Sequence, residues 1–170
     1  MRILAGSSTA FGIGASADRW TLPSCLAEND SRQEPWLNLG GRSFNSTQEL
    51  MLMVLNRHLL PKVKEIVLFS GFNNLGLARM PAEQRLDHGA FFNCNEFFDA
   101  FEIEEEGGIK NWFKSNKKVV EPQVPSMPEQ IDYAADLTLR HLDVWRILAN
   151  EMGAKLTFVL QPLSEWVRKV

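Results

Sequence analysis

Short apolar runs alternate with longer amphipathic segments along this chain, and that alternation limits the fold more than any other feature. Four segments read as strands: Arg2–Ala5, Trp36–Leu39, Glu65–Ser70 and Lys155–Gln161. The last two, EIVLFS and KLTFVLQ, are rich in β-branched and aromatic residues, as strands buried on both faces are. Helical patterns lie between them. TLPSCLAE is a short helix with Thr21 as N-cap and Pro23 in the first turn, where a missing N–H is harmless. STQELMLMVLNRHLL opens with Ser46 as cap and Glu49 three residues on, a capping-box pattern. Leu50, Met53, Val54 and Leu60 make its apolar face. In PEQIDYAADLTLRHLDVWRILANEMG, the residues Ile131, Ala135, Leu142, Trp145, Leu148 and Met152 recur at three- and four-residue steps, and Gly153 ends the helix. Strands and helices in this order specify an α/β fold with a mostly parallel sheet and right-handed crossovers.

The 170 residues, 45% of them hydrophobic, suit a single domain over 1–170. No apolar run approaches the roughly 18 to 20 residues that span a bilayer, so no membrane partner is expected. The chain starts in a strand, without a basic lead or cleavage site, and a cytoplasmic location is expected. A net charge of -3 argues against nucleic acid. The basic cluster Lys110–Lys118 directly follows the acidic run Glu102–Glu106, as in a solvated loop. Cys25 and Cys94 are too few and too far apart for a disulfide framework or a zinc site. The stretch from Ala78 to Met127 interrupts the alternation. It holds Phe91, Phe92, Phe97 and Phe98, a Gly107-Gly108 pair and prolines at 122 and 125, and Pro128 follows it. It is too long for an ordinary connection and is expected to be an insertion, serving as a lid or subunit contact, with some helix within Cys94–Phe101.

Ligands of parallel sheets sit beyond the carboxyl ends of the strands. That rule gathers three small-residue loops on one rim: Gly6–Gly14, Gly40–Asn45 and Gly71–Asn74. They could form a phosphate cradle, a nucleophile site or plain turns. The cradle lacks its patterns, because no Lys follows these glycines and no third glycine follows Gly12 and Gly14 in register. The nucleophile reading is coherent. Ser8 presents a hydroxyl, the backbone around Ser43 presents N–H groups, and Asn73 presents a neutral amide donor. Taken singly, each of these residues is also a common turn residue.

These three blocks resemble the SGNH (GDSL-type) hydrolases. Gly6-Ser7-Ser8 is similar to the family's Gly-Asp-Ser block, with Ser8 on the nucleophile. NLGGRSFNSTQEL is similar to its Asn-x-Gly-x-x-Gly loop, with Ser43 where the oxyanion glycine belongs. SGFNNL is similar to its Gly-x-Asn-Asp block, so Asn73 falls on the oxyanion asparagine. FVLQP, ending at Pro162, looks like the fourth strand. The flavour is similar to bacterial members labelled inducers of phenazine. The resemblance implies a flavodoxin-like three-layer α/β/α sandwich of strand order 2-1-3-4, with a fifth strand not in this chain. It implies a serine esterase or deacylase acting on an ester or acyl group of a small metabolite or carbohydrate. Ser8 would attack, Ser8, Ser43 and Asn73 would hold the oxyanion, and no cofactor would be needed.

Three substitutions depart from the pattern: Ser7 and Asn74 stand for aspartates, and Ser43 for glycine. No Asp is followed three residues later by His, so the family's Asp-x-x-His base is expected beyond Val170. Of the three histidines, His58 sits near a helix end and His141 lies inside a helix. His88, beside Asp87, is the one that a lid could bring to the rim. The alternative is a non-catalytic binding or regulatory module using the same cleft. The insertion over 78–127 and the open edge of the fourth strand are candidate surfaces for a homo-oligomer.

Overall fold

The computed structural model describes residues 1–32, 34–60, 62–85 and 123–162. Most of the expected insertion, including the Cys94–Phe101 helix and His88, lies outside them. Among the described residues, β1 is Arg2–Gly6, α1 Ser8–Phe11, α2 Leu22–Asn29, β2 Trp36–Gly40 and α3 Ser46–Asn56. Then come β3 Glu65–Ser70, α4 Phe72–Ala78, α5 Ala82–Arg85, α6 Met127–Met152 and β4 Lys155–Leu160. The four strands form one parallel sheet in the order β2-β1-β3-β4. The chain runs outward from β1 to β2, then reverses past β1 to β3 and on to β4. With right-handed crossovers, that reversal puts α2 on one face and α3 and α6 on the other.

The core lies between the sheet and the α3–α6 face. Ile3, Ala5, Ile66 and Leu68 point up from alternate strand positions to meet Met53 of α3 and Trp145 and Ala149 of α6. On both helices part of the expected apolar face meets the core, with Met53 and Trp145 buried and Leu50, Leu142, Leu148 and Met152 packed against it, and part does not. On α6 the buried residues are Ala134, Leu137, Trp145 and Ala149, whereas Ile131 is 57% exposed. On α3 they are Ser46, Thr47, Glu49 and Met53, and Val54 is exposed. α3 also starts one residue earlier than its Ser46 pattern suggests. Asn45 is the cap: its side chain accepts from the N–H groups of Thr47 and Gln48, while Gln48 accepts from the Asn45 N–H. The first turn is therefore satisfied without Ser46 or Glu49. At the start of α6, Ser126 and Glu129 form a capping box, and the Ser126 hydrogen bonds hold the Glu129 carboxyl below its ordinary pKa.

The two ends of the sheet are tied differently. At the amino ends, Arg2 is 2% exposed. Its guanidinium pairs with Asp30 and lies 3.5 Å from Glu34 and 3.4 Å from Glu65. Three carboxylates around one buried cation leave it compensated. The carboxyl ends hold mainly neutral hydroxyls and amides. No helix among the described residues is long and apolar enough to cross a membrane.

Close approach governs how α1 seats against β2. A Cβ on Gly40 would stand 2.4 Å from the Phe11 nitrogen and 2.8 Å from Ala10 C. Gly40→Ala is expected to destabilise the protein by about 1–3 kcal/mol through this overpacking. Urea unfolding measures it, and an unchanged midpoint would show that α1 does not rest on β2 in solution.

Candidate active site

Parallel pairing in register brings the three loops to one rim. Gly6 lies opposite Gly40 on one side and Phe69 on the other, and β3 runs one residue further to Ser70, so β1, β2 and β3 end within one residue of each other. Ser8 opens α1 directly after β1, and it is half-buried, as are Ser43 and Asn73. The loops are stitched together by hydrogen bonds. The Gly41 N–H donates to the Gly6 carbonyl at 3.0 Å, which fixes the second loop beside the first. Asn73 Nδ2 donates to the Phe44 carbonyl at 2.6 Å, which fixes the third loop against the second. An amide nitrogen has two hydrogens, so one N–H of Asn73 remains for a further acceptor.

Ser43 is the residue most altered by the site. Its φ is +58°, a left-handed value, and it is the one non-glycine with positive φ among the described residues. The glycine-type conformation is therefore kept with a serine in place, at the usual steric cost of a Cβ there. Behind the rim lies a buried network that the sequence reading missed. Asn74, 1% exposed, accepts from the Ser46 N–H at 3.1 Å. Its Nδ2 lies 2.8 Å from both Ser46 Oγ and Thr138 Oγ1. Thr138 sends its own hydrogen to the Ala134 carbonyl, so it accepts from Asn74. Ser46 Oγ also lies 3.0 Å from Asn74 Oδ1 and 2.7 Å from His141 Nδ1, and the His141 tautomer decides which of the two bonds the Ser46 hydrogen makes.

The Ser46–His141 pair has the spacing of a nucleophile and its base, but Ser46 is 3% exposed and closed in by Asn74. Its role is to join α3, α4 and α6. His58 lies in the turn before β3, at the opposite end of the sheet. Among the described residues, no side chain hydrogen-bonds the Ser8 hydroxyl, and no group of three or more His, Cys, Asp or Glu could hold a metal ion. A second buried group flanks the network. Glu49, 1% exposed, accepts from the Ser70 hydroxyl at 2.5 Å. Desolvation pushes its carboxyl up to about 8, and the Ser70 hydrogen bond opposes that only in part.

The capping pattern assigns Glu49 to the first turn of α3, and the sequence places His141 only inside a helix. Their positions carried a signal, since Ser46, Glu49 and Met53 share one face of α3, as Ala134, Leu137, His141 and Trp145 share one face of α6. Neither a family model nor a curated protein sequence matches this chain. Among solved structures, a mutant of the esterase AlinE4 is similar, at 17% identity and a TM-score of 0.45, over 92% of this chain and 74% of that one.

Glu49 predicts a pH dependence of stability. The unfolded carboxyl releases its proton near its ordinary value of 4.5, while the folded one holds it to about 8. Between those values the folded state binds more protons, so stability falls as pH rises, by at most about 1.4 kcal/mol per pH unit. Glu49→Gln keeps an acceptor for Ser70 and removes the titration. Urea unfolding from pH 5 to pH 8 is expected to show the variant gaining on wild type as pH rises. Parallel curves would refute the assignment.

Proposed function

We propose that this chain carries the nucleophile and the oxyanion donors of an SGNH-type serine hydrolase, acting on an ester or acyl group of a small metabolite or carbohydrate. What supports the reading is the nearly common height of three strand ends that bear Ser8, Ser43 and Asn73, with the second and third loops joined by the Asn73–Phe44 bond. The left-handed Ser43 adds to it, because the loop keeps a glycine-like turn where the family places its oxyanion glycine.

In this mechanism Ser8 Oγ attacks the substrate carbonyl carbon and gives its proton to a histidine base. The oxyanion is held by the N–H groups of Ser8 and Ser43 and the free N–H of Asn73. The tetrahedral adduct collapses, the alcohol leaves with the proton from the imidazolium, and water then hydrolyses the acyl-Ser8 ester with the same base. The base comes from outside the described residues, in the proposed full protein from an Asp-x-x-His block beyond Val170. His141 does not supply it: its Nδ1 faces Ser46, which is buried behind the rim, and among the described residues it makes no hydrogen bond to Ser8.

One observation favours the second reading, a non-catalytic module in the same cleft: neither described histidine touches Ser8. Kinetics of the full-length protein on short-chain nitrophenyl esters separate the two. The hydrolase reading expects Ser8→Ala to abolish turnover and Asn73→Ala to lower kcat/KM on the order of 100- to 1000-fold. Hydrolysis by Ser8→Ala at the wild-type rate would overturn it, and no turnover by wild type would favour the module.

A further inference from the structure

We propose that Gln161 is a positioning residue for Ser8, holding the nucleophile turn from a strand two places away in the sheet. This deepens the hydrolase reading and rests on it for its catalytic part. Gln161 follows β4 directly, and its N–H donates to the Ser70 carbonyl at 2.9 Å, so its backbone continues the ladder.

Its side chain reaches across the end of β3. Oε1 accepts from Ser7 Oγ at 3.2 Å, and Nε2 donates to Thr9 Oγ1 at 3.0 Å. The two partners bracket Ser8. The register explains how a single carboxamide can do this. Ser70 pairs with Leu160, and Phe69 with Gly6, so β3 lies between Gln161 and the turn after β1. Neighbouring strands are about 4.8 Å apart, so two spacings separate β4 from β1, a gap that a Gln and a Ser or Thr side chain bridge together. At the end of β3 stands Gly71, whose φ is +102° and where a Cβ would lie 2.5 Å from Leu160 Cδ1, so a larger residue would press on β4 and strain the turn.

The chemistry suits an amide. One carboxamide offers a donor and an acceptor side by side, and hydroxyls accept either role. Ser7 is 2% exposed, so its hydroxyl is a buried polar group whose bond to Gln161 matters. With residues 7 and 9 both tied, the Ser8 N–H and Oγ between them keep one direction. A misplacement of about 1 Å at a reacting group can cost on the order of 100-fold in rate.

The test uses the full-length protein and two variants. Gln161→Leu keeps the bulk and removes both hydrogen bonds. Gln161→Glu restores them, since Ser7 and Thr9 can both donate to a carboxylate. Two quantities are read: amide hydrogen exchange over residues 7–12, and kcat and KM on a short nitrophenyl ester. Gln161→Leu is expected to speed exchange over 7–12 at least tenfold and to lower kcat on the order of 100-fold at unchanged KM. Gln161→Glu is expected to return exchange over 7–12 to within a few-fold of wild type. Wild-type exchange in Gln161→Leu would overturn the proposal, as would a Gln161→Glu variant that exchanges as fast as Gln161→Leu. If wild type hydrolyses no ester, the hydrolase reading fails and Gln161 positions no nucleophile. Exchange then shows only whether the tether exists.

Discussion

The rim is set by one pairing, Gly6 of β1 against Phe69 of β3. A Cβ on residue 6 would lie 2.2 Å from the Phe69 carbonyl oxygen, so only glycine lets the strands run together to their ends. Because β3 runs only one residue past the end of β1, the loops that follow them emerge side by side. The Gly41–Gly6 bond adds the loop after β2, and Gln161 adds the end of β4. A candidate site built from four separate stretches of sequence thus depends on parallel strands that terminate together. A shift of one residue at Gly6 would turn Ser8 away from the rim, because strand side chains alternate faces.

The two ends of the sheet divide their tasks by charge. Arg2 and its carboxylates hold the amino ends. The carboxyl ends are held by hydroxyls and amides from Ser46, Ser70, Asn74 and Thr138. A neutral scaffold leaves no fixed charge to compete with one that develops on a substrate oxygen. Asn74 shows how far this goes. Where an aspartate would carry charge into the network, the amide donates twice and accepts once, and the buried hydroxyls around it are satisfied. Glu49 conforms to the same rule by holding its proton through neutral pH.

Strand positions were legible because short apolar runs between helical patterns leave few alternatives, whereas the sheet order was implied by the family resemblance alone. Helix phase was less legible. α6 has two apolar stripes, and Ile131 and Ala135 belong to the exposed one. Local pattern cannot tell which stripe meets the sheet, because that depends on where the crossover lands. The cap of α3 was read one residue late, since Asn45 and Ser46 are both good caps and the choice rests on Gln48 reaching back to the Asn45 N–H. The gathering of three loops on one rim was legible from their place after the strand ends, whereas the contacts of Gln161 and His141 were not. Their partners lie 154 and 95 positions away, at Ser7 and Ser46, and no local pattern encodes that distance.

The central claim is that Ser8 is the reactive hydroxyl of this protein. Treatment of the full-length protein with a fluorophosphonate, followed by peptide mass spectrometry, tests it most directly. One label per chain on the peptide that carries Ser8, lost when the protein is unfolded first, is the predicted result. A label on Ser43 or Ser46 instead, or no label on a protein that hydrolyses esters, would contradict the account.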